Sequence, residues 1–257
     1  QESTPSVSVV LPTYNEARIV ESKLDELVSL DYPMELVEIV VADASDDGTT
    51  DIVREYFQER DSPSLTLVRD EERRGVAAAL NDAIAAASGE VIFRTDADSR
   101  LTSNVLREAT ANLADPNVGA VTGQQIEVLG DSTVEEDYRG MIALVQSVES
   151  RIDSVFICHG PCFAFSRELF EPLSSDTIAD DTAIGVAIRR GGKRVIMDPS
   201  LRFTESGISD FGKRRARKDR RAMGLLQLLF RNRDAVFQYG LYGWFVLPFS
   251  WLFMIVT

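Results

Sequence analysis

Lysine, cysteine and histidine are all scarce in this sequence of 257 residues. Four of its 27 cationic side chains are lysines and the rest are arginines. Two cysteines cannot build a disulfide framework, and they indicate a reducing compartment. The formal net charge of −14 excludes a general nucleic-acid binder, because a phosphate backbone requires a broadly positive face. An acidic, lysine-poor surface also suits a high-salt cytoplasm.

Two common nucleotide-binding signatures are missing as well. The sequence contains neither a Gly-x-Gly-x-x-Gly fingerprint nor a Walker lysine. These absences argue against a dinucleotide-dependent enzyme and against a P-loop ATPase.

Charge is absent from residues 235–257. A spanning helix needs about 20 apolar residues, so we expect an interfacial or transmembrane helix to begin within 231–257. Tyr239, Tyr242, Trp244 and Trp251 are of the aromatic type that is enriched at membrane interfaces. The alternative is a buried terminal helix of a soluble domain.

Apolar, β-branched runs alternate with helical patterns along the chain. This alternation predicts an α/β domain over 1–230 whose mostly parallel, Rossmann-like sheet is flanked by helices. The predicted strands are 6–11, 36–42, 65–69, 91–95, 118–122 and 162–165. The predicted helices are 16–30, 49–60, 76–87, 106–113, 134–155 and 182–190.

Polar clusters follow the predicted strands, at the edge where open parallel sheets bind ligands. The clusters are residues 13–16, 43–49 and 96–98. In an extended segment the side chains of Asp96 and Asp98 point to one face, so both carboxylates can reach one Mg²⁺ or Mn²⁺ ion. The alternative for this pair is a solvated turn in which Asp98 caps the next segment.

Four motifs together resemble the family 2 inverting glycosyltransferases of GT-A fold. They are 9–16 (VVLPTYNE), 40–49 (VVADASDDGT), 74–81 (RGVAAALN) and 96–98 (DAD). The resemblance implies a nucleotide-diphosphate-sugar donor, with a UDP-sugar favoured, and a metal ion on Asp96 and Asp98. It also implies that the donor is bound by Pro12, Thr13, Tyr14, Glu16, Asp43, Ser45, Arg74, Asp96, Arg217 and Arg220. Within that set, Asp43 is expected at the base. The resemblance and the acidic, lysine-poor composition together suggest a halophilic archaeal source.

The segment 177–182 (TIADDT) is similar to the family's Thr-Glu-Asp motif. The resemblance implies that Asp181 is the catalytic base and that Asp180 stands where glutamate is usual. It further implies that His159, Gly160 and Asp180 line the acceptor site. Without the resemblance, Asp180 and Asp181 would be interpreted as an N-cap of the following helix.

Residues 211–224 hold seven cations around Asp219. They are similar to the family's Gln-x-x-Arg-Trp motif, in which only Arg220 matches. Arg217 occupies the glutamine position and Arg221 the tryptophan position, and this argues against processive polysaccharide synthesis. The alternative is a solvated basic helix beside an anionic membrane surface.

The sequence therefore predicts a metal-dependent inverting transferase at the cytoplasmic face of the cell membrane, acting on a lipid-linked or polysaccharide acceptor. Two alternatives remain open. A sugar nucleotidyltransferase also uses acidic metal ligands, but residues 12–16 lack its Gly-rich basic loop. A catalytically inactive membrane scaffold is compatible with the departures at Arg217, Arg221 and Val76, where many relatives carry lysine after Arg-Gly.

Overall fold

A mixed β-sheet forms the centre of the protein. The computed structural model describes residues 4–128, 133–205 and 211–256. The strands are β1 (Val7–Thr13), β2 (Val37–Asp43), β3 (Ser64–Arg69), β4 (Val91–Arg94), β5 (Ser99–Leu101), β6 (Val118–Val128), β7 (Phe163–Ser166) and β8 (Arg194–Glu205). They form one eight-stranded sheet in the order β3-β2-β1-β4-β7-β6-β8-β5.

Helices cover both faces of this sheet because its strands are apolar on both sides. The helices are α1 (Val20–Val28), α2 (Thr49–Phe57), α3 (Val76–Ala86), α4 (Val105–Leu113), α5 (Thr133–Ile152), α6 (Asp180–Arg190), α7 (Phe211–Arg231) and α8 (Leu247–Val256). Val9 of β1 packs in one apolar cluster with α1, α2 and α4. Val10 points to the opposite face and packs in a second cluster with α3 and α6. A third cluster joins α6 and α7 to the C-terminal segment.

The predicted α/β fold is confirmed, and six of the eight strands run in one direction, as expected for a mostly parallel sheet, while β7 and β5 are reversed. β1 to β4 are parallel to one another, as the alternation predicts. In the second half, β7 runs antiparallel to both β4 and β6, and β5 runs antiparallel to β8. β7 lies between two strands that come from distant parts of the chain, and local periodicity does not report its direction.

Two helices begin at residues other than those predicted, and both differences affect the site. α1 begins at Val20 rather than residue 16, because Asn15 has a left-handed φ of 59° and the chain turns through residues 16–19. α6 begins at Asp180 rather than residue 182. Its N-cap is Ala179, which makes no side-chain capping bond, so Asp180 and Asp181 belong to the first helical turn and the N-cap interpretation is wrong.

The C-terminal apolar stretch forms a π-helical turn (Tyr242–Val246) that continues into α8. Tyr242 and Leu247 are buried against the domain, whereas Trp244 and Leu252 are 58% and 61% exposed. Among residues 4–128, 133–205 and 211–256, no helix has the length and apolar character needed to cross a membrane. The transmembrane alternative for 231–257 is therefore not supported, and Thr257 lies outside the described residues.

Candidate active site

Asp43 is the centre of a hydrogen-bonded network at the carboxyl end of β2. Its Oδ1 accepts hydrogen bonds from Thr13 Oγ1 at 2.8 Å and from the Ser45 amide and hydroxyl. Its Oδ2 accepts a hydrogen bond from Thr50 Oγ1. The Asp43 side chain has no exposed surface. The carboxylate that the resemblance places at the nucleotide base is thus buried and hydrogen-bonded to its own loop, and its contact with a base stays a prediction.

Replacing Asp43 by alanine is expected to destabilise the protein more than any exposed carboxylate change. The substitution leaves Thr13, Ser45 and Thr50 with buried donors that have lost their acceptor. We expect the free energy of unfolding to fall by about 3 kcal/mol, measured by urea denaturation. The exposed Asp46 is the matched control, and its alanine variant should stay within about 0.5 kcal/mol of the wild type. Equal stabilities of the two variants would contradict this role.

The loop after β1 lies against the Asp43 network. Pro12 is the penultimate residue of β1, opposite Ala42. The Asn15 amide donates to Ser45 Oγ at 2.8 Å, and the Glu16 amide donates to Thr49 Oγ1 at 3.0 Å. These bonds join the ends of two neighbouring strands, so the first two predicted clusters form one surface.

Tyr14 and Arg74 flank this surface. Tyr14 is 40% exposed, and the Arg73 guanidinium lies 4.4 Å from its ring centroid. The two side chains form an exposed platform for stacking. Tyr14 was predicted as a donor-binding residue, whereas Arg73 was not. Arg74 is half-exposed and is paired with Asp70 at 2.6 Å and with Asp82. The Arg74 guanidinium, which is predicted to bind the donor, is thus held by two carboxylates near the start of α3.

Asp96 and Asp98 lie directly after β4, in the turn that leads into β5. Their side chains are 26% and 36% exposed, while Ala97 between them is buried. The segment is a turn rather than extended, because the Asp96 carbonyl accepts a hydrogen bond from the Ser99 amide at 3.3 Å. Both carboxylates are therefore available at the edge of the sheet.

Carboxylates crowd this edge and disfavour one another's charge. Burial raises the pKa of Asp98, and Asp96 and Glu205 raise it further against the opposing effect of Arg217. Burial also raises the pKa of Glu16, helped by the carboxylates of Asp98, Asp47 and Asp96. Across the described part of the chain, no set of three or more Asp, Glu, His or Cys side chains is arranged to hold a metal ion.

Arg94, the last residue of β4, lies behind these carboxylates. Its Nη2 is 3.3 Å from Asp96 Oδ1 and 3.1 Å from Asp180 Oδ2, and its Nη1 is 3.9 Å from Asp181 Oδ2. Burial lowers the pKa of this guanidinium, but the carboxylates of Asp180, Asp96 and Asp181 outweigh burial and raise the pKa above its usual value. Arg94 was not predicted as a site residue. A charged residue at the end of an apolar strand could have indicated it, because buried charges are usually paired.

Asp181 lies at the start of α6 and faces Gly160. Its Oδ2 accepts a hydrogen bond from the Gly160 amide at 2.8 Å, and its Oδ1 accepts one from the Thr182 amide at 2.6 Å. Asp180 beside it is buried. Burial raises the pKa of Asp180 and the neighbouring Asp181 adds to the rise, while Arg94 opposes it.

His159 lies next to Gly160 in a half-buried position. Its amide donates to Thr122 Oγ1 at 2.8 Å, and its Nε2 lies 3.1 Å from Gln146 Nε2 and 3.3 Å from Gln146 Oε1. Burial lowers the pKa of His159 to about 4, with a further contribution from Arg221. The imidazole is therefore neutral near pH 7, which suits a hydrogen-bonding rather than an electrostatic role.

The basic helix α7 contacts the acidic edge through Arg217 and Arg221. Arg217 Nη1 lies 3.6 Å from Asp98 Oδ2, and its Nη2 lies 3.5 Å from Glu205 Oε1. Arg221 Nη2 is 3.0 Å from the same Glu205 oxygen. Arg217 and Arg221, which occupy the glutamine and tryptophan positions of the Gln-x-x-Arg-Trp motif, thus contact these carboxylates. Arg220, which matches the arginine of the motif, faces solvent.

Gly224 lets α7 approach the segment before Asp180. A Cβ at Gly224 would lie 2.9 Å from the Ala179 nitrogen. Gln227 and Arg231, further along the same helix, bond to Asp176. α7 therefore holds the loop that leads into the Asp180-Asp181 turn.

Solved structures of known proteins place this fold among the GT-A-like glycosyltransferases. The mannosyltransferase PcManGT of Pyrobaculum calidifontis, solved in complex with GDP-Man and Mn²⁺, is 32% identical with a TM-score of 0.80, and the similarity covers 99% of this chain and 74% of that chain. S. aureus TarS 1-349, in complex with UDP-GlcNAc, is 18% identical with a TM-score of 0.59 over 80% of this chain and 59% of that chain. The second likeness shows the fold alone.

The family follows from the sequence match. The model described as Glycosyl transferase family 2 matches residues 8–174, and the chain belongs to that family, which confirms the predicted resemblance. An N-acetylglucosaminyltransferase of Rhizobium meliloti is 29% identical over 175 residues, which are 66% of this chain and 41% of that protein. The chain thus spans less than half the length of this curated relative.

Proposed function

We propose that this protein transfers a sugar from a nucleoside-diphosphate sugar to an acceptor hydroxyl, with inversion at the anomeric carbon. One observation carries the proposal: Asp96, which the resemblance assigns to the donor, and Asp181, which it assigns as the base, both lie beside one buried guanidinium, Arg94. Family membership supports a transferase over a nucleotidyltransferase. An inactive scaffold has no need of this converging set of charges.

Asp181 is the proposed general base. Its Oδ2 would take the proton of the acceptor hydroxyl as the acceptor oxygen forms a bond to the anomeric carbon. The bond from that carbon to the phosphate oxygen breaks in the same step, and its electron pair leaves with the nucleoside diphosphate. The Gly160 amide, which donates to Asp181 Oδ2, orients the carboxylate. Because the acceptor oxygen displaces the diphosphate directly, no covalent enzyme intermediate is required.

Asp96 and Asp98 fit a Mg²⁺ or Mn²⁺ ion. Both side chains offer hard carboxylate oxygens. Burial raises the pKa of Asp98, the carboxylates of Asp96 and Glu205 add to the rise, and a bound cation would offset this crowding of negative charge. Mg²⁺ is commonly held by one or two carboxylates and the substrate phosphates, so a third protein ligand is not required. When bound, the ion would neutralise charge on the departing diphosphate. Arg217 lies close enough to add to that neutralisation.

The donor we propose first is GDP-mannose. This choice is supported by the 32% identity to PcManGT, which was solved with GDP-Man and Mn²⁺. It departs from the UDP-sugar that the sequence favours, and UDP-GlcNAc is the second candidate because a relative that is 29% identical is an N-acetylglucosaminyltransferase. Tyr14 and Arg73 supply a platform on which either base would stack.

The proposed acceptor is a lipid-linked saccharide or a polysaccharide at the cytoplasmic face of the cell membrane. Exposed aromatic side chains support this location: Trp244 and Phe245 in the C-terminal segment are 58% and 60% exposed. Exposed arginines on α7 would attract an anionic lipid surface. The C-terminal segment would lie in the interface in this arrangement.

Calorimetric titration of a nucleotide panel tests the proposal. GDP, UDP, CDP, GDP-mannose and UDP-GlcNAc are titrated in molar salt, with Mn²⁺ and with EDTA. We expect one nucleoside diphosphate and its sugar conjugate to bind in Mn²⁺, and we expect EDTA to remove that binding. Binding that is equal in EDTA would contradict the metal role. If no nucleotide binds under any condition, the inactive scaffold is the better account.

A further inference from the structure

Arg94 lies between Asp96 and Asp181, and its side chain reaches both carboxylates. β4 is an internal strand, paired with β1 on one side and with β7 on the other, so its backbone is held in place by two neighbours. Ile92 of β4 packs in the cluster that contains α6, and residue 94 points to the same face because strand side chains alternate. The fold therefore directs this guanidinium at the first turn of α6.

The surroundings of Arg94 are matched to its charge, although its buried Nε has no hydrogen-bond partner among the described residues. Three carboxylates, those of Asp96, Asp180 and Asp181, lie within 4 Å of its Nη atoms, and its side chain is 8% exposed. Without the cation these carboxylates would repel one another at a site that water screens poorly. The planar fork of arginine is suited to several carboxylate partners at once, which the single ammonium group of lysine is not.

Gly160 has no side chain and therefore leaves room for the same guanidinium. A Cβ at residue 160 would lie 1.2 Å from Arg94 Nη1, so any larger residue would displace the arginine head group. The Gly160 amide also donates to Asp181 Oδ2. Arg94, Gly160 and Asp181 thus form one unit whose parts come from β4, the turn before β7 and α6.

We infer that Arg94 is a positioning residue that sets the base Asp181 relative to the donor-side carboxylate Asp96. This inference rests on the proposed transfer reaction and assigns to it a residue outside the recognised motifs. Arg94 touches neither the sugar nor the acceptor in this account. It acts by holding carboxylates from two distant segments in one arrangement.

The test compares Arg94→Gln with a matched buried ion pair elsewhere. Arg189 is 12% exposed at its side chain and lies 2.7 Å from Asp153, on the side of α6 that faces Tyr239. Arg189→Gln therefore reports the cost of losing a buried guanidinium without touching the site. Both variants are made in the full chain, and their melting temperatures are measured first.

The readouts are the affinity for GDP in Mn²⁺ by calorimetry and the steady-state release of GDP from GDP-mannose. We expect Arg94→Gln to lower kcat by about 100-fold and to weaken GDP affinity by about tenfold, while Arg189→Gln changes neither by more than about twofold. Arg94→Lys should give values between those of the wild type and Arg94→Gln. A purely structural role would lower the melting temperature without this split between kcat and affinity.

Gly160→Ala keeps the test decisive if Arg94→Gln does not fold. Its added methyl group should displace the guanidinium and lower kcat in the same way. The inference is overturned if the folded Arg94 and Gly160 variants match Arg189→Gln in both readouts. A wild-type protein that binds no nucleoside diphosphate in Mn²⁺ would refute the proposed function together with this inference. Normal wild-type binding with unaffected variants refutes the inference alone.

Discussion

Asp181→Asn is expected to lower sugar transfer by about 10³-fold while leaving GDP affinity in Mn²⁺ within about twofold of the wild type. Asparagine is nearly isosteric with aspartate, and its amide oxygen can still accept a bond from the Gly160 or Thr182 amide. It cannot take the acceptor proton. Transfer is measured by acceptor glycosylation, or by release of GDP when no acceptor is added.

Asp51→Asn is the matched control for this variant. Asp51 lies on α2, is 85% exposed at its side chain and pairs with Arg54 one helical turn away. Its asparagine variant should retain wild-type transfer. Normal turnover by Asp181→Asn would remove Asp181 from its role as base, whereas loss of GDP affinity would place it on the donor side.

Asp98→Ala is expected to weaken GDP binding in Mn²⁺ by about 100-fold and to make the remaining binding insensitive to EDTA. The variant removes one of the two proposed metal ligands. It leaves Arg217 anchored, because Glu205 Oε1 lies 3.5 Å from the other end of that guanidinium. Calorimetry with and without Mn²⁺ measures both effects.

Asp219→Ala is the matched control, because it removes an equally negative side chain from α7, the helix whose Arg217 contacts Asp98. Asp219 is 70% exposed on α7 and faces Arg215, so its loss should leave metal-dependent binding unchanged. If Asp98→Ala titrates like Asp219→Ala, the metal does not bind at Asp98. Increased GDP affinity in Asp98→Ala would show instead that Asp98 holds Arg217 away from the diphosphate.

The first half of the fold could be predicted from the sequence because its order is local. Each of β1 to β4 is a short apolar run, and the segments that separate them are long enough to require parallel crossovers. The same rule put residues 13–16, 43–49 and 96–98 at one edge, where the structure brings them together.

In the second half several helices and strands were predicted, but the strand pairing was not, because its contacts join distant segments. β8 was missed because Pro199 and several polar residues interrupt its apolar pattern, and its register against β6 shifts between Gly123 and Gln124. Glu205 is the last residue of β8, and its carboxylate pairs with Arg217 and Arg221. The network of Asp43 and the contacts of Arg94 with α6 depend on strand order and register, which no local pattern contains.

The configuration of the first-formed product tests the central claim of inverting transfer most directly. Proton NMR is used to follow sugar released from α-linked GDP-mannose in Mn²⁺, at times shorter than mutarotation, or the linkage formed on a supplied acceptor. Inversion with Asp181 as base predicts that the β-anomer appears first. An α-product at the earliest times would contradict direct displacement at the anomeric carbon and would require a different role for Asp181.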